Sequence, residues 1–318
     1  MQRQRTIASK FDLYGRCFYS GNTVKATFFP AGADSGIVFN TTFGEVKASL
    51  DNAVPCRRSI LLREGKAAII NVEHVLATLF AYDIDNAYIM VRRVPPFNGS
   101  PLGQYISFNT CLTSTEVFPN TGEEELTLCS LLEDMGSVVL DKERRLATVE
   151  RPFVTEKLSF HPFVKSLMMH ATTVYPPVGE QVFETEINGE SYKKELAGAR
   201  RYAEHLKYFK FMPDWMAHRI GSFLTNFVNP TYGLGHGFNK RNVFLPTKTI
   251  EEWYSQEKCP AEIARHTIVD RLGAIALLDR RLEGVRCVMK FSNHVNDINV
   301  LRELQKELVN AKIKEKHL

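Results

Sequence analysis

His266 and Asp270 stand four residues apart in "RHTIVDRLGAIALL". On a helix that spacing puts an imidazole and a carboxylate on one face, about one turn apart. Gly273 and Leu277 continue the face, so it points inward. Imidazole nitrogen and carboxylate oxygen are both zinc donors, although the same pair also serves as a plain hydrogen bond. A third donor, His74, lies far off in "NVEHVLATLF", where Val72, Val75, Leu76, Leu79 and Phe80 form one apolar helical face. Burying an unpaired carboxylate or imidazole is costly, yet Glu73 and His74 sit side by side there. Three protein donors and an open fourth position make the pattern of catalytic zinc. Glu73, beside the proposed ligand, is placed to act as a general base on water. His294, in "KFSNHVNDINV", follows a strand and precedes the last helix. A cation is disfavoured at a helix N-terminus, so His294 is either a general acid opposite the base or an ordinary loop histidine. Spacing alone does not join the five residues.

The elements that must position them are mixed. "NTVKATFFPA" and "NAYIMVRRV" read as strands, with the helix bearing Glu73 and His74 between them and "DIDNA" as the turn into the second strand. Strand, helix, strand predicts α+β layers. "FPNTGEEELTL", residues 118–128, reads as a linker and divides the chain into residues 1–120 and 126–318. The second part opens with the strands "SVVLD" and "RLATVER", and residues 196–228 read as mainly helical. "AEIARHTIVDRLGAIALLDRRLEG" reads as one helix ending at Gly284, and Ile298, Leu301, Leu304 and Leu308 mark the core stripe of a last helix. "NPTYGLGHGFNKRN" is a glycine-rich loop without the strand-turn-helix setting of a nucleotide site.

Bulk properties narrow the function. The chain has 318 residues and a net charge of +4, too mildly basic to mark a nucleic-acid binder. Six widely spaced cysteines without a C-x-x-C pair predict free thiols and a cytoplasmic setting. The N-terminus lacks the apolar stretch of a secretory signal, and no apolar run is long enough for a transmembrane segment. Oligomeric state is not readable from the sequence.

Several segments, in order along nearly the whole chain, resemble one family, the UDP-3-O-acyl-N-acetylglucosamine deacetylases of lipid A biosynthesis. "YSGNTVKATFFPAGADSGIVF" resembles its opening strand and "P-A-…-D-x-G-I-x-F" segment. "NVEHVLATLFAYDIDNAYIMV" resembles "V-E-H-L-L-x-A-L-x-x-x-x-I-D-N" closely, and "VPPFNGSPLGQYI" the "D-G-S-A" loop. "LAGARRYAEH" resembles "A-R-T-F", and "GLGHGFNKRNVFLP" the loop ending in "N-A-I-V". "RHTIVDRLGAIALL" resembles "R-H-K-x-x-D-x-x-G-D-L", and "NHVNDINVLREL" the final "G-H-x-x-N".

The resemblance implies two α+β domains of similar topology, each a sheet layered against helices, with the active site between them. It implies a zinc-dependent amide hydrolase acting on an acylated nucleotide sugar, with Fe²⁺ as a second suitable ion. His74, His266 and Asp270 match the metal ligands, Glu73 the general base and His294 the histidine that protonates the leaving amine. Zn²⁺ would polarise the amide carbonyl and lower the pKa of a bound water, and Glu73 would take its proton. Acetate and a free amine would result.

Other positions depart from the pattern. Tyr19 replaces a histidine, Asn98 the aspartate of "D-G-S-A" and Asn293 the last glycine. Arg201 and Tyr202 replace the Thr and Phe of "A-R-T-F", and Thr267 replaces the lysine after the second zinc histidine. These three fall where the family handles substrate. Arg201 either brings a positive charge to the oxyanion or faces solvent. Thr267 lacks a point charge suited to phosphate. Ala274 stands where an aspartate supports the catalytic histidine, which leaves His294 less favourably protonated. The departures leave open a deacetylase of another N-acyl substrate, or a non-catalytic member with structural metal.

Overall fold

The computed structural model describes residues 2–16, 23–55, 59–93, 115–117, 122–164, 166–175, 179–202, 243–244, 257–290 and 294–310. Within them the fold is α+β, and one sheet topology occurs twice. In the first half a five-stranded sheet has the order Phe11–Arg16, Thr23–Pro30, Ala87–Arg93, Ile37–Thr41, Gly44–Lys47. Its pairs are antiparallel, except that Ile37–Thr41 runs parallel to Ala87–Arg93. In the second half the order is Phe153–Val154, Leu158–Pro162, Val285–Lys290, Met168–Tyr175, Gly179–Glu186. Here too only one pair is parallel, Met168–Tyr175 with Val285–Lys290. In each repeat the strand latest in sequence lies at the centre, between two hairpins.

Alternation explains the sheets. In Thr23–Pro30, Val24, Ala26 and Phe28 are buried, while Lys25 reaches Asp12 at 2.9 Å. In Met168–Tyr175, Met169, Ala171 and Thr173 are buried.

A helix precedes the central strand of each repeat: α1, Glu73–Ala81, in the first and, in the second, one that bears His266. A helix follows each as well: α2, Gly122–Met135, and a counterpart after Val285–Lys290. These two second-half helices are α3, Glu262–Ile275, and α4, His294–Glu307. The expected linker at 118–128 thus overlaps α2 from residue 122, and 118–121 lie outside the described residues. α2 packs on Phe11–Arg16 and on α1. Every residue of α1 is buried, and α1 packs on α3. One apolar core runs through this contact, from Phe28 and Phe39 through Leu76 and Leu79 to Leu272 and Ile275. Each fully buried Leu or Phe there contributes about 1.5–3 kcal/mol. No described helix is long and apolar enough to cross a membrane.

Three boundaries differ from expectation. α3 stops at Ile275, well short of Gly284. Leu277 and Leu278 are buried as expected, but the Leu277 carbonyl accepts from Leu50 N at 3.1 Å, and Arg281–Leu282 forms a strand beside Leu146–Thr148. This tertiary pairing overrides the helical period. Arg201–Tyr202, expected as helix, is a short strand parallel to Val243–Phe244; residues 203–228 lie outside the described residues. The last helix ends at Glu307 and gives way to Val309–Asn310, which pairs with Ala147 and Thr148. Ile298, Leu301 and Leu304 of the expected stripe are buried as the spacing requires, and Leu308 is buried just past the helix end.

Candidate metal centre

α1 begins at a sharp reversal. Asn71 leaves strand Ala67–Ile70 with φ of 65°, a left-handed conformation that Asn tolerates better than most residues. Glu73 then opens the helix, where a negative charge suits the dipole. α3 follows Ala261, also left-handed at φ 57°. Its first amides are met from outside: Glu257 accepts from Glu262 N at 3.1 Å, and Gln181 Oε1 accepts from Ile263 N at 3.3 Å.

The helices cross backbone to backbone. A Cβ built on Gly273 would lie 2.1 Å from the Glu73 carbonyl oxygen. Only glycine permits this approach. The crossing brings His74 of α1 against His266 and Asp270 of α3, with ring centroids of the two histidines 4.9 Å apart. His74 Nε2 lies 3.3 Å from Asp270 Oδ1, and His266 Nε2 lies 3.6 Å from the same oxygen. One donor atom from each residue falls within 4.8 Å of the others. The three residues are 7%, 6% and 8% exposed, so water does not screen them. The His266 tautomer is fixed: Nδ1–H donates to the Ala199 carbonyl at 2.9 Å, which turns the lone pair of Nε2 toward the cluster.

This set fits a metal ion. A tetrahedral centre with bonds of about 2.0–2.1 Å has ligand-to-ligand edges of roughly 3.3–3.4 Å. Of the edges here, 3.3 Å meets that requirement, and 3.6 Å exceeds it by a few tenths of an ångström, within reach of a small side-chain shift. Two nitrogens and one oxygen suit Zn²⁺ or Fe²⁺.

Glu73 is fully buried. Its carboxylate lies 2.9 and 3.0 Å from Ser59 Oγ and accepts from Ile60 N at 3.0 Å. Asn71 completes the group: its backbone N–H donates to Ser59 Oγ at 3.0 Å, and its carboxamide lies 2.7 Å from the same atom. With the carboxamide turned to donate, Ser59 accepts from Asn71 and gives its one proton to Glu73. On the other side of α3, Arg271 Nε pairs with Asp297 of α4 at 2.9 Å, and its Nη1 lies 3.4 Å from Asp270 Oδ2. Beneath that pair burial pushes the Cys287 thiol well up, so it packs as a neutral side chain.

His74, His266 and Asp270, named from the sequence, therefore meet, and Glu73 adjoins them on α1. Thr267 turns away, its hydroxyl donating to the Ile263 carbonyl of its own helix at 2.9 Å. His294 is the first residue of α4, and Arg201 and Tyr202 form a strand; the side chains of all three lie outside those described. Sequence reasoning missed Ser59, the Ala199 carbonyl and the Arg271–Asp297 pair. Ser59 lies in no periodic or motif-bearing stretch. Arg271 directly follows Asp270, but a one-residue step on a helix gives no shared face.

A family model described as UDP-3-O-acyl N-acetylglycosamine deacetylase matches residues 4–214. A protein of Aliarcobacter butzleri named UDP-3-O-acyl-N-acetylglucosamine deacetylase is 24% identical over 98% of this chain and 92% of its own. Proteins of the same name from Helicobacter hepaticus and Thermodesulfovibrio yellowstonii are each 24% identical, covering 93% and 96% of this chain and 88% and 92% of their own. The chain belongs to the UDP-3-O-acyl N-acetylglycosamine deacetylase family.

Proposed function

We propose that the protein is a zinc-dependent deacetylase that removes acetate from a UDP-3-O-acyl-N-acetylglucosamine-type substrate in lipid A synthesis. The observation that carries this reading is the meeting of His74, His266 and Asp270 at the α1–α3 crossing, beside Glu73. A Zn²⁺ or Fe²⁺ ion held by these three would supply Lewis acidity toward an amide carbonyl and toward water.

The chain's own groups do the rest. Glu73 accepts a proton from the attacking water, and Ser59 and the Ile60 amide hold its carboxylate in place for this. The C–N bond breaks as the amide nitrogen takes up a proton, which we assign to His294 at the start of α4. The pair Arg271–Asp297 ties α4 to the helix carrying His266 and Asp270. Acetate and a free amine leave. Arg201, Tyr202 and Thr267 are assigned to the substrate region by their place in the family pattern. Among the described residues Cys129, Cys259 and Cys287 form no disulfide, which agrees with a cytoplasmic setting.

One observation favours a shifted substrate. Thr267 spends its hydroxyl within α3, where the family pattern has a lysine suited to phosphate. A second reading is thus a deacetylase of an N-acyl substrate without a diphosphate. Zinc-loaded protein incubated with acylated UDP-N-acetylglucosamine, and with the same sugar lacking the nucleotide, tests both. Acetate release that is lost in Glu73→Gln supports the hydrolase. Preference for the non-nucleotide sugar selects the second reading, and no release from either above the variant's level rejects both.

A further inference from the structure

Between Glu262 and His266, one turn apart on α3, lies the peptide unit that joins Ala199 to Arg200. Its carbonyl accepts from His266 Nδ1 at 2.9 Å. Its N–H donates to Glu262 Oε1, also at 2.9 Å. One helix thus grips one peptide group at both ends. Arg200 closes the arrangement, with Nε 2.7 Å from Oε1 and Nη2 2.8 Å from Oε2 of Glu262. The Lys258 amide donates to Oε2 at 2.9 Å. Arg200 is 3% exposed and Glu262 0%.

We propose that Glu262 is a positioning residue for His266, acting through the Ala199–Arg200 peptide. The proposal rests on reading His74, His266 and Asp270 as a metal site. Its physical basis is polarisation along a hydrogen-bonded chain. A carboxylate accepting from a peptide N–H increases the negative charge on that peptide's carbonyl oxygen. A stronger acceptor on Nδ1–H fixes the imidazole ring and makes Nε2 a better donor to a metal. Glu262 therefore does at one remove what a carboxylate does when it touches a ligating histidine directly. Arg200 has a separate task. A buried carboxylate left alone would be strongly destabilising, and the bidentate guanidinium both neutralises it and fixes its plane.

A purely structural clamp would also tie residue 199 to α3, but it would act on stability and not on the metal. The test uses the full chain and three variants. Zn²⁺ affinity is measured by competition with a chromogenic chelator, and the visible spectrum of the Co²⁺-loaded protein reports the ligand field. Glu262→Gln keeps the shape and an acceptor but removes the charge. Gln181→Ala removes a bond to the same helix N-terminus without touching the peptide. The expected result for Glu262→Gln is Zn²⁺ affinity weakened about 10–100-fold, with shifted Co²⁺ bands and an unchanged far-ultraviolet circular dichroism spectrum. For Gln181→Ala it is a lower melting temperature with Zn²⁺ affinity within about twofold of wild type. Should Glu262→Gln fail to fold, Glu262→Asp withdraws the carboxylate while keeping its charge, and weakened Zn²⁺ affinity is again expected. Folded Glu262→Gln with wild-type affinity and spectrum overturns the proposal, and so does equal weakening by Gln181→Ala. Wild-type protein that holds no Zn²⁺ overturns the metal reading itself.

Discussion

Gly273 and Glu73 touch through their backbones: a Cβ on Gly273 would lie 2.1 Å from the Glu73 carbonyl oxygen and 2.7 Å from its Cα. The contact sits between the candidate ligands, one residue before His74 and three after Asp270. Neither obstructing atom belongs to a flexible side chain, so Gly273→Ala must separate α1 from α3. Overpacking of a core costs about 1–3 kcal/mol, and backbone obstruction puts this site at or above the top of that range. The variant is expected to unfold at lower urea concentration and to lose Zn²⁺ uptake in the folded state. Wild-type uptake in a stable variant would show that the crossing tolerates a wider spacing.

The cluster makes a direct prediction about metal content. Wild-type protein is expected to hold about one zinc or iron per chain by elemental analysis. His74→Ala combined with Asp270→Ala removes one donor from each helix and should abolish it. Metal retained in the double variant would place the ion elsewhere in the chain.

The sequence made these residues nameable but did not bring them together. The apolar face around Val72, Val75 and Leu79 is legible because all of α1 is buried, and the spacing of His266 and Asp270 fixes their shared face. That His74 meets them depends on a helix crossing set by one glycine, and no periodicity encodes a crossing. Only likeness to a family linked them. The repeated sheet was hidden for a related reason: its central strands pair with partners far away in sequence. The end of α3 was misplaced because Leu277 and Leu278 are buried whether helical or not. Ser59 left no trace, since a buried serine that supports a carboxylate looks like any loop serine.

The outer face of the second sheet predicts an acid-sensitive contact. Glu184 accepts from Arg286 Nε at 3.1 Å and lies 3.0 Å from His170 Nδ1. Burial alone would raise its pKa, but Arg286 and then His170 outweigh burial and hold it below the ordinary 4.5. A lowered pKa stabilises the fold above the unfolded value, and the gain is lost as pH falls through the folded one. Glu184→Gln is therefore expected to cost up to about 1 kcal/mol at pH 7, a modest figure for a partly exposed, screened pair. The deficit should shrink as the pH is lowered from 7 to an acid value below the folded pKa, where the wild-type carboxylate is protonated as well. Urea unfolding of both proteins at the two pH values checks this, and a deficit that persists at low pH would assign it to packing.

Ser59 separates support of the base from support of the fold. It lies 2.9 Å from Glu73 Oε2 and also takes the Asn71 amide at 3.0 Å. Ser59→Ala leaves the Ile60 amide on the carboxylate but removes the hydroxyl, so Glu73 is held by one donor fewer and is less well oriented. Loss of a hydrogen bond to a buried charged group costs about 1.5–3 kcal/mol. If Glu73 accepts the proton, part of that loss appears in the transition state. The expected result is kcat lowered about 10-fold or more with KM nearly unchanged, in protein that binds Zn²⁺ as wild type does. A raised KM with unchanged kcat would instead place Ser59 in substrate binding. Full activity in a less stable variant would confine Ser59 to holding the turn ahead of α1.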